Sequence, residues 1–174
     1  MKYISKIFNI TLIITFLIPP LTFVRKSYIG VPEEMKGMTS YFERKVGVDL
    51  TEAKVELVNL YLLDIRFLLI GAVGFCDIKN ETIYIHKPYW DNLNHWSKEM
   101  LLFHEYGHCY MNLRHIKYLK GDLYRRNVND CPMTLMYPSM FHPECYRKNR
   151  DFYLETLKFH FEVAKKEAQF PEGE

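Results

Sequence analysis

The stretch His104-Glu105-Tyr106-Gly107-His108 constrains this chain more than any other. It reads H-E-x-x-H and follows the apolar run Met100-Leu101-Leu102-Phe103, so a helix is expected there. Residues four apart lie one above the other on a helix face, which stacks His104 and His108. Two imidazoles placed in this way can share one zinc ion. Glu105 then lies where it can take a proton from a water on that metal. A catalytic zinc usually keeps three protein ligands and one open position, so a third ligand has to be found.

The 174 residues suffice for one ordinary domain with a sizeable core. Nearly half of them are apolar, and 13 tyrosines and 12 phenylalanines argue against disorder. The formal net charge of +2 comes from Lys2 and Lys6; beyond residue 24 the bases and acids balance. A balanced domain carries no field that would draw in a nucleic acid, and none is expected as a partner.

Residues 1–26 read as a signal peptide or an N-terminal membrane anchor. Lys2 and Lys6 form a basic start, and Ile7 to Ile18 is mostly apolar and uncharged before Pro19-Pro20. No small-x-small cleavage triplet follows, so residues 7–24 are also a candidate membrane tether. Residues 27–174 form the single remaining domain, expected to be exported and monomeric. Cys76, Cys109, Cys131 and Cys145 allow one or two disulfides in such a compartment, and their pairing stays open beside free buried thiols.

Along the domain, Glu33 to Lys45 has helical spacing with Gly47 as its stop. Lys54 to Leu60 is expected as a strand, and Ile65 to Phe75 as another, bent at Gly71 and Gly74. A turn over residues 77–80 leads to a strand at Thr82–His86. Ser97 is the candidate N-cap of the motif helix, Glu99 complements its dipole, and the helix should run to about Asn112. Residues 116–130 read as a basic loop and Cys131 to Cys145 as irregular. A last helix is expected from Asn149 or Asp151 to Ala168, with Phe152, Leu154, Leu157, Phe159, Phe161 and Val163 as its apolar stripe.

His115 is the candidate third ligand, seven residues after His108. Asn112 stands three residues before it. Asn is the residue that best tolerates a left-handed backbone after Gly, so the helix can turn there and bring His115 back. His142 is the reserve ligand, with Asp122 and Glu144 as carboxylate alternatives, and Cys109 points partly away from the histidine face. Downstream stands Thr134-Leu135-Met136-Tyr137-Pro138.

These motifs resemble the metzincins, whose zinc motif H-E-x-x-H-x-x-G-x-x-H is followed by a methionine turn. Here Met111 stands at the glycine position and Arg114 at the third-histidine position, so the pattern is reached with one extra residue. Over Leu101 to Leu154 the chain resembles small exported bacterial metallopeptidases of this type. The resemblance implies an α+β zincin fold: a small mixed sheet with an N-terminal helix, the active-site helix, a Met-turn and a long C-terminal helix. It implies Zn2+ on His104, His108 and His115, with Met136 packed beneath and not ligating. It also implies that Thr82–His86 is a sheet-edge strand able to pair with an extended peptide or protein substrate. The transition-state tyrosine of astacin-like members falls on Pro138, and Tyr137, one residue early, does not inherit its role.

The reaction expected is zinc-dependent peptide-bond hydrolysis with Glu105 as general base. The alternatives are an exported or membrane-tethered interaction protein braced by a structural zinc, and a zinc amidase acting on cell-wall peptides.

Overall fold

A computed structural model describes residues 28–115 and 131–169. The segment 1–26 expected to direct export and the stretch 116–130 expected as a loop, with Asp122, lie outside the described residues. The fold is mixed α+β, with one three-stranded sheet and several helices.

A 3-10 turn at Glu33–Met35 opens into helix α1 (Lys36–Val46), which Gly47 stops in the left-handed conformation at φ 82°. Strand β1 (Lys54–Val58) follows, then the short helices α2 (Leu60–Leu63) and α3 (Ile65–Ile70). Strands β2 (Gly74–Asp77) and β3 (Thr82–His86) form a hairpin. Helix α4 (Lys87–Trp90) leads to the motif helix α5 (His95–Met111). Helices α6 (Pro143–Lys148) and α7 (Arg150–Gln169) complete the domain.

The expected strand over Ile65 to Phe75 is corrected. Its first half is α3, Gly71 reverses the chain at φ 63°, and only Gly74 onward is extended. Leu60 likewise belongs to α2, because its N–H donates to His86 Nδ1 instead of continuing the ladder. The edge-strand expectation for Thr82–His86 is also overturned. β3 is the central strand, parallel to β1 and antiparallel to β2, so both of its edges are already hydrogen-bonded.

The core sits between α1, α5, α7 and one face of the sheet. Phe42 packs on Phe103 and Tyr106 with ring centroids 4.7 and 5.4 Å away, and Thr39 and Tyr106 share a buried 2.7 Å hydrogen bond. Each such aromatic buries a large apolar area, so this contact fixes α1 across the motif helix. From α7 only Tyr153, Leu154 and Leu157 of the first turns are fully inside, whereas Phe152, Phe159 and Val163 of the expected stripe are exposed. The helix outlasts the surface it packs against.

Two corrections concern the start of α5. Asn94, not Ser97, is the N-cap: its side chain accepts from the Ser97 N–H at 3.0 Å. Glu99 does not serve the dipole from solvent. It is buried, takes two 2.6 Å hydrogen bonds from Arg150 and one of 2.6 Å from the Tyr146 hydroxyl. A buried carboxylate is tolerated only with such partners, and this one pins α5 to α6 and α7. The region 131–145 is irregular as far as His142, after which α6 begins at Pro143.

All four cysteines are paired, Cys76 with Cys109 and Cys131 with Cys145. This is the bonding of an oxidising environment. Among the described residues, no helix is long and apolar enough to cross a membrane.

Candidate metal centre

Three imidazole nitrogens meet at one point on the open side of α5. The Nε2 atoms of His104, His108 and His115 are 3.0, 3.1 and 3.1 Å from one another. His104 and His108 come from one helix face, as their spacing dictates. His115 arrives because α5 stops at Asn112, which takes the left-handed conformation at φ 52°, ψ 31°. The N–H groups of Asn112 and Leu113 both return to the Gly107 carbonyl, closing the helix end.

The other ring nitrogens are held from behind. His104 Nδ1 lies 2.8 Å from the Leu135 carbonyl and His108 Nδ1 lies 2.6 Å from the Leu113 carbonyl. A carbonyl only accepts, so both Nδ1 atoms carry the proton and both Nε2 atoms present bare lone pairs. Two bare lone pairs 3.0 Å apart cannot hydrogen-bond to each other. Such a cluster is stable around a cation.

The dimensions fit one. Tetrahedral coordination at about 2.0–2.1 Å puts nitrogen ligands roughly 3.3 Å apart, close to the triangle seen here. The three histidines can therefore hold a metal ion. Burial, reinforced by the neighbouring His108, holds His104 at about 3, and burial lowers His108 against the pull of its Leu113 bond. Both rings are thus neutral, the form a metal needs.

Glu105 projects from the same helix toward β2. Its side chain is buried, and burial raises its carboxyl to about 8. The contact that positions it is with the backbone of Gly74: a Cβ there would collide with the Glu105 carboxylate. β2 is also bonded covalently to this helix, since Cys109 follows His108 directly and reaches Cys76. Cys109 thus serves as a disulfide partner and not as a ligand.

Met136 is fully buried beneath the helix. A Cβ on Gly107 would stand 2.5 Å from its sulfur, so the glycine inside the motif is what lets the methionine in. The Thr134 hydroxyl accepts from the Met136 N–H at 3.1 Å and shapes the turn, whose Leu135 carbonyl orients His104. The turn is fastened by Cys131–Cys145 and by the Tyr153 hydroxyl, which donates to the Pro132 carbonyl at 2.7 Å.

The reserve ligands stand elsewhere. His142 caps α6, its Nδ1 accepting from Glu144 N–H, and Glu144 is held by Arg147. His86 and His95 are likewise occupied, by Leu60 N–H and beside Glu99.

The histidines open into a cleft of about 970 Å³. One wall is Val73, Gly74 and Phe75 of the β2 region, and the opposite wall includes Tyr137 and Met140. Comparison of the chain with protein-family models, curated proteins and solved structures finds no match in any of the three.

The sequence points to the three histidines that converge here and to Met136 beneath the helix, but not to Gly74 or the two carbonyls. Backbone atoms carry no signal in composition. Gly74, inside a run of bulky residues, signals a bend in the sequence, whereas in the structure its missing side chain makes room for Glu105.

Proposed function

We propose that this chain is a metzincin-like zinc peptidase that hydrolyses peptide bonds in an exported location. The observation that carries the reading is the convergence of three imidazoles on an open cleft, with one buried carboxylate beside them. A structural metal is usually enclosed by four protein ligands, whereas three ligands facing a cleft leave a position for reactants.

When bound, zinc supplies a Lewis acid that acidifies water and polarises a carbonyl. The chain's own residues do the rest. His104, His108 and His115 donate lone pairs, and the Leu135 and Leu113 carbonyls fix their tautomers. Glu105, wedged against Gly74, accepts a proton from the attacking water and returns it to the leaving amine. Its apo value of about 8 falls once a cation is near, which leaves it ionised for that task. β2 lines the cleft and is an edge strand among the described residues, so it is this strand, not β3, that can align an extended peptide by main-chain hydrogen bonds.

The test is the full oxidised chain, assayed for bound metal and for cleavage of quenched-fluorescent peptide mixtures. Glu105→Gln should lower turnover by about 10²–10⁴-fold with metal retained. A chain that binds no zinc, or a Glu105→Gln variant with full activity, defeats the proposal.

A further inference from the structure

Seven of the eleven large apolar side chains exposed among the described residues fall between Leu62 and Ile78. Leu62, Leu69 and Ile70 are exposed to 83, 78 and 74%. Between Asn59 and Asp77 the only charged residues are Asp64 and Arg66. The helices α2 and α3 therefore form a lobe that is apolar on its outside, which a chain surrounded by water does not retain without a partner. The lobe continues into the cleft: Ile70, Phe75 and Ile78 both stand exposed and line its mouth.

We propose that this lobe is a membrane-docking surface, inserting into the interfacial region of a lipid bilayer and setting the cleft mouth against the lipid. Two further observations select lipid. The first is the chain before the described part. The apolar run that ends at Val24 is separated from Tyr28 by three residues, at most about 14 Å of extended chain. Gly30 then bonds to Val55 in β1, and the lobe starts five residues further on at Leu60, about 17 Å along the strand direction. A bilayer holding the N-terminal run lies within reach of the lobe. The second is charge. Exposed Lys79 follows Ile78 directly, and exposed Arg114 lines the same cleft. Cations bordering an inserted apolar surface meet anionic headgroups.

The surface rests on exposure and charge and does not depend on hydrolysis. If the peptidase reading also holds, the substrates are peptide segments at the lipid surface.

The test uses the full chain with Leu69→Trp as reporter, Ile78→Trp as a second reporter, and Phe159→Trp on α7 as control. Vesicles contain equal parts of phosphatidylcholine and phosphatidylglycerol, with and without brominated acyl chains. Both lobe reporters should shift to the blue on adding vesicles and lose most of their emission to the brominated lipid, while the control does neither. Lobe reporters left unquenched on vesicle-bound protein overturn the proposal, as does equal quenching of the control. A blue shift before any lipid is added also overturns it: one independent of protein concentration assigns the lobe to the chain's own N-terminal segment, and a concentration-dependent one to a second copy.

Discussion

Gly74→Ala should separate metal binding from catalysis. Position 74 has no left-handed backbone to strain, since among the described glycines only Gly47 and Gly71 have positive φ. The added methyl acts through what it touches, and all three of its nearest neighbours are Glu105 side-chain atoms. To restore ordinary carbon–oxygen contact, the carboxylate must retreat by about 1 Å. No histidine is among those neighbours, so the three Nε2 atoms keep their positions. A misplacement of ~1 Å in a catalytic group costs on the order of 10²-fold, or about 2.7 kcal/mol in the barrier. The variant should therefore hold zinc with nearly unchanged affinity and show kcat/KM lowered about 100-fold. The assay pairs competition against a chromophoric chelator with turnover of a fluorogenic peptide, and a thermal melt checks folding. Alanine reduces the entropy of the unfolded chain, so no large fall in stability should accompany the lost turnover. Undiminished turnover would refute the role given to Glu105. Zinc lost in parallel with activity would refute the claim that β2 positions only the carboxylate.

His115→Ala removes one of three ligands, and zinc affinity measured by chelator competition should fall by more than the ~10–100-fold typical of losing a hydrogen-bonded partner behind a ligand. In the metal-free protein, His104 moves from 6.5 to about 3, so its contribution to stability is present above 6.5 and is lost as pH falls toward 3. Glu105 moves from 4.5 to about 8, so its contribution is present below 4.5 and is lost as pH rises through 8. Between pH 6.5 and 8 only the second slope remains, and urea melts with chelator should show apo stability falling there, a fall that Glu105→Gln removes. Replacing both Cys76 and Cys109 by serine opens a link of sequence separation 33, which loop-closure entropy values at about 4 kcal/mol. Denaturant unfolding of that variant should show a loss of this order, and a stability within about 1 kcal/mol of the parent would mean that β2 needs no such fastening.

Where local chemistry decided structure, the sequence was readable. The alternation Thr82-Ile83-Tyr84-Ile85-His86 makes a strand, and that strand is β3. Asn112 tolerates a left-handed backbone, so α5 ends there and His115 comes round to the other two histidines. The α+β class follows from the same signals. Ile65 to Ile70 was not readable, because a short apolar run bordered by Gly serves equally as strand or helix. Its exposure was still less so: an apolar run implies burial, and nothing local says that the burying surface belongs to something other than this chain. Thr82–His86 was correctly a strand and wrongly an edge, since order within a sheet depends on which segments arrive on either side.

The site divides along the same line. His104, Glu105, His108 and His115 are identified by spacing within twelve residues, whereas their aim is set from far along the chain. Leu135 orients His104 from 31 residues away, Gly74 limits Glu105, and Cys76 holds the strand to the helix across 33 residues. None of these partners has a side chain that advertises the role: one is a carbonyl, one is an absent methyl, and one is a cysteine with three conceivable mates. A two-histidine helix motif can arise in many chains without effect. What gathers the three histidines and the carboxylate here is long-range packing, and substitutions at Gly74, Gly107 or the Leu135 turn should therefore impair the site even though they spare all three histidines.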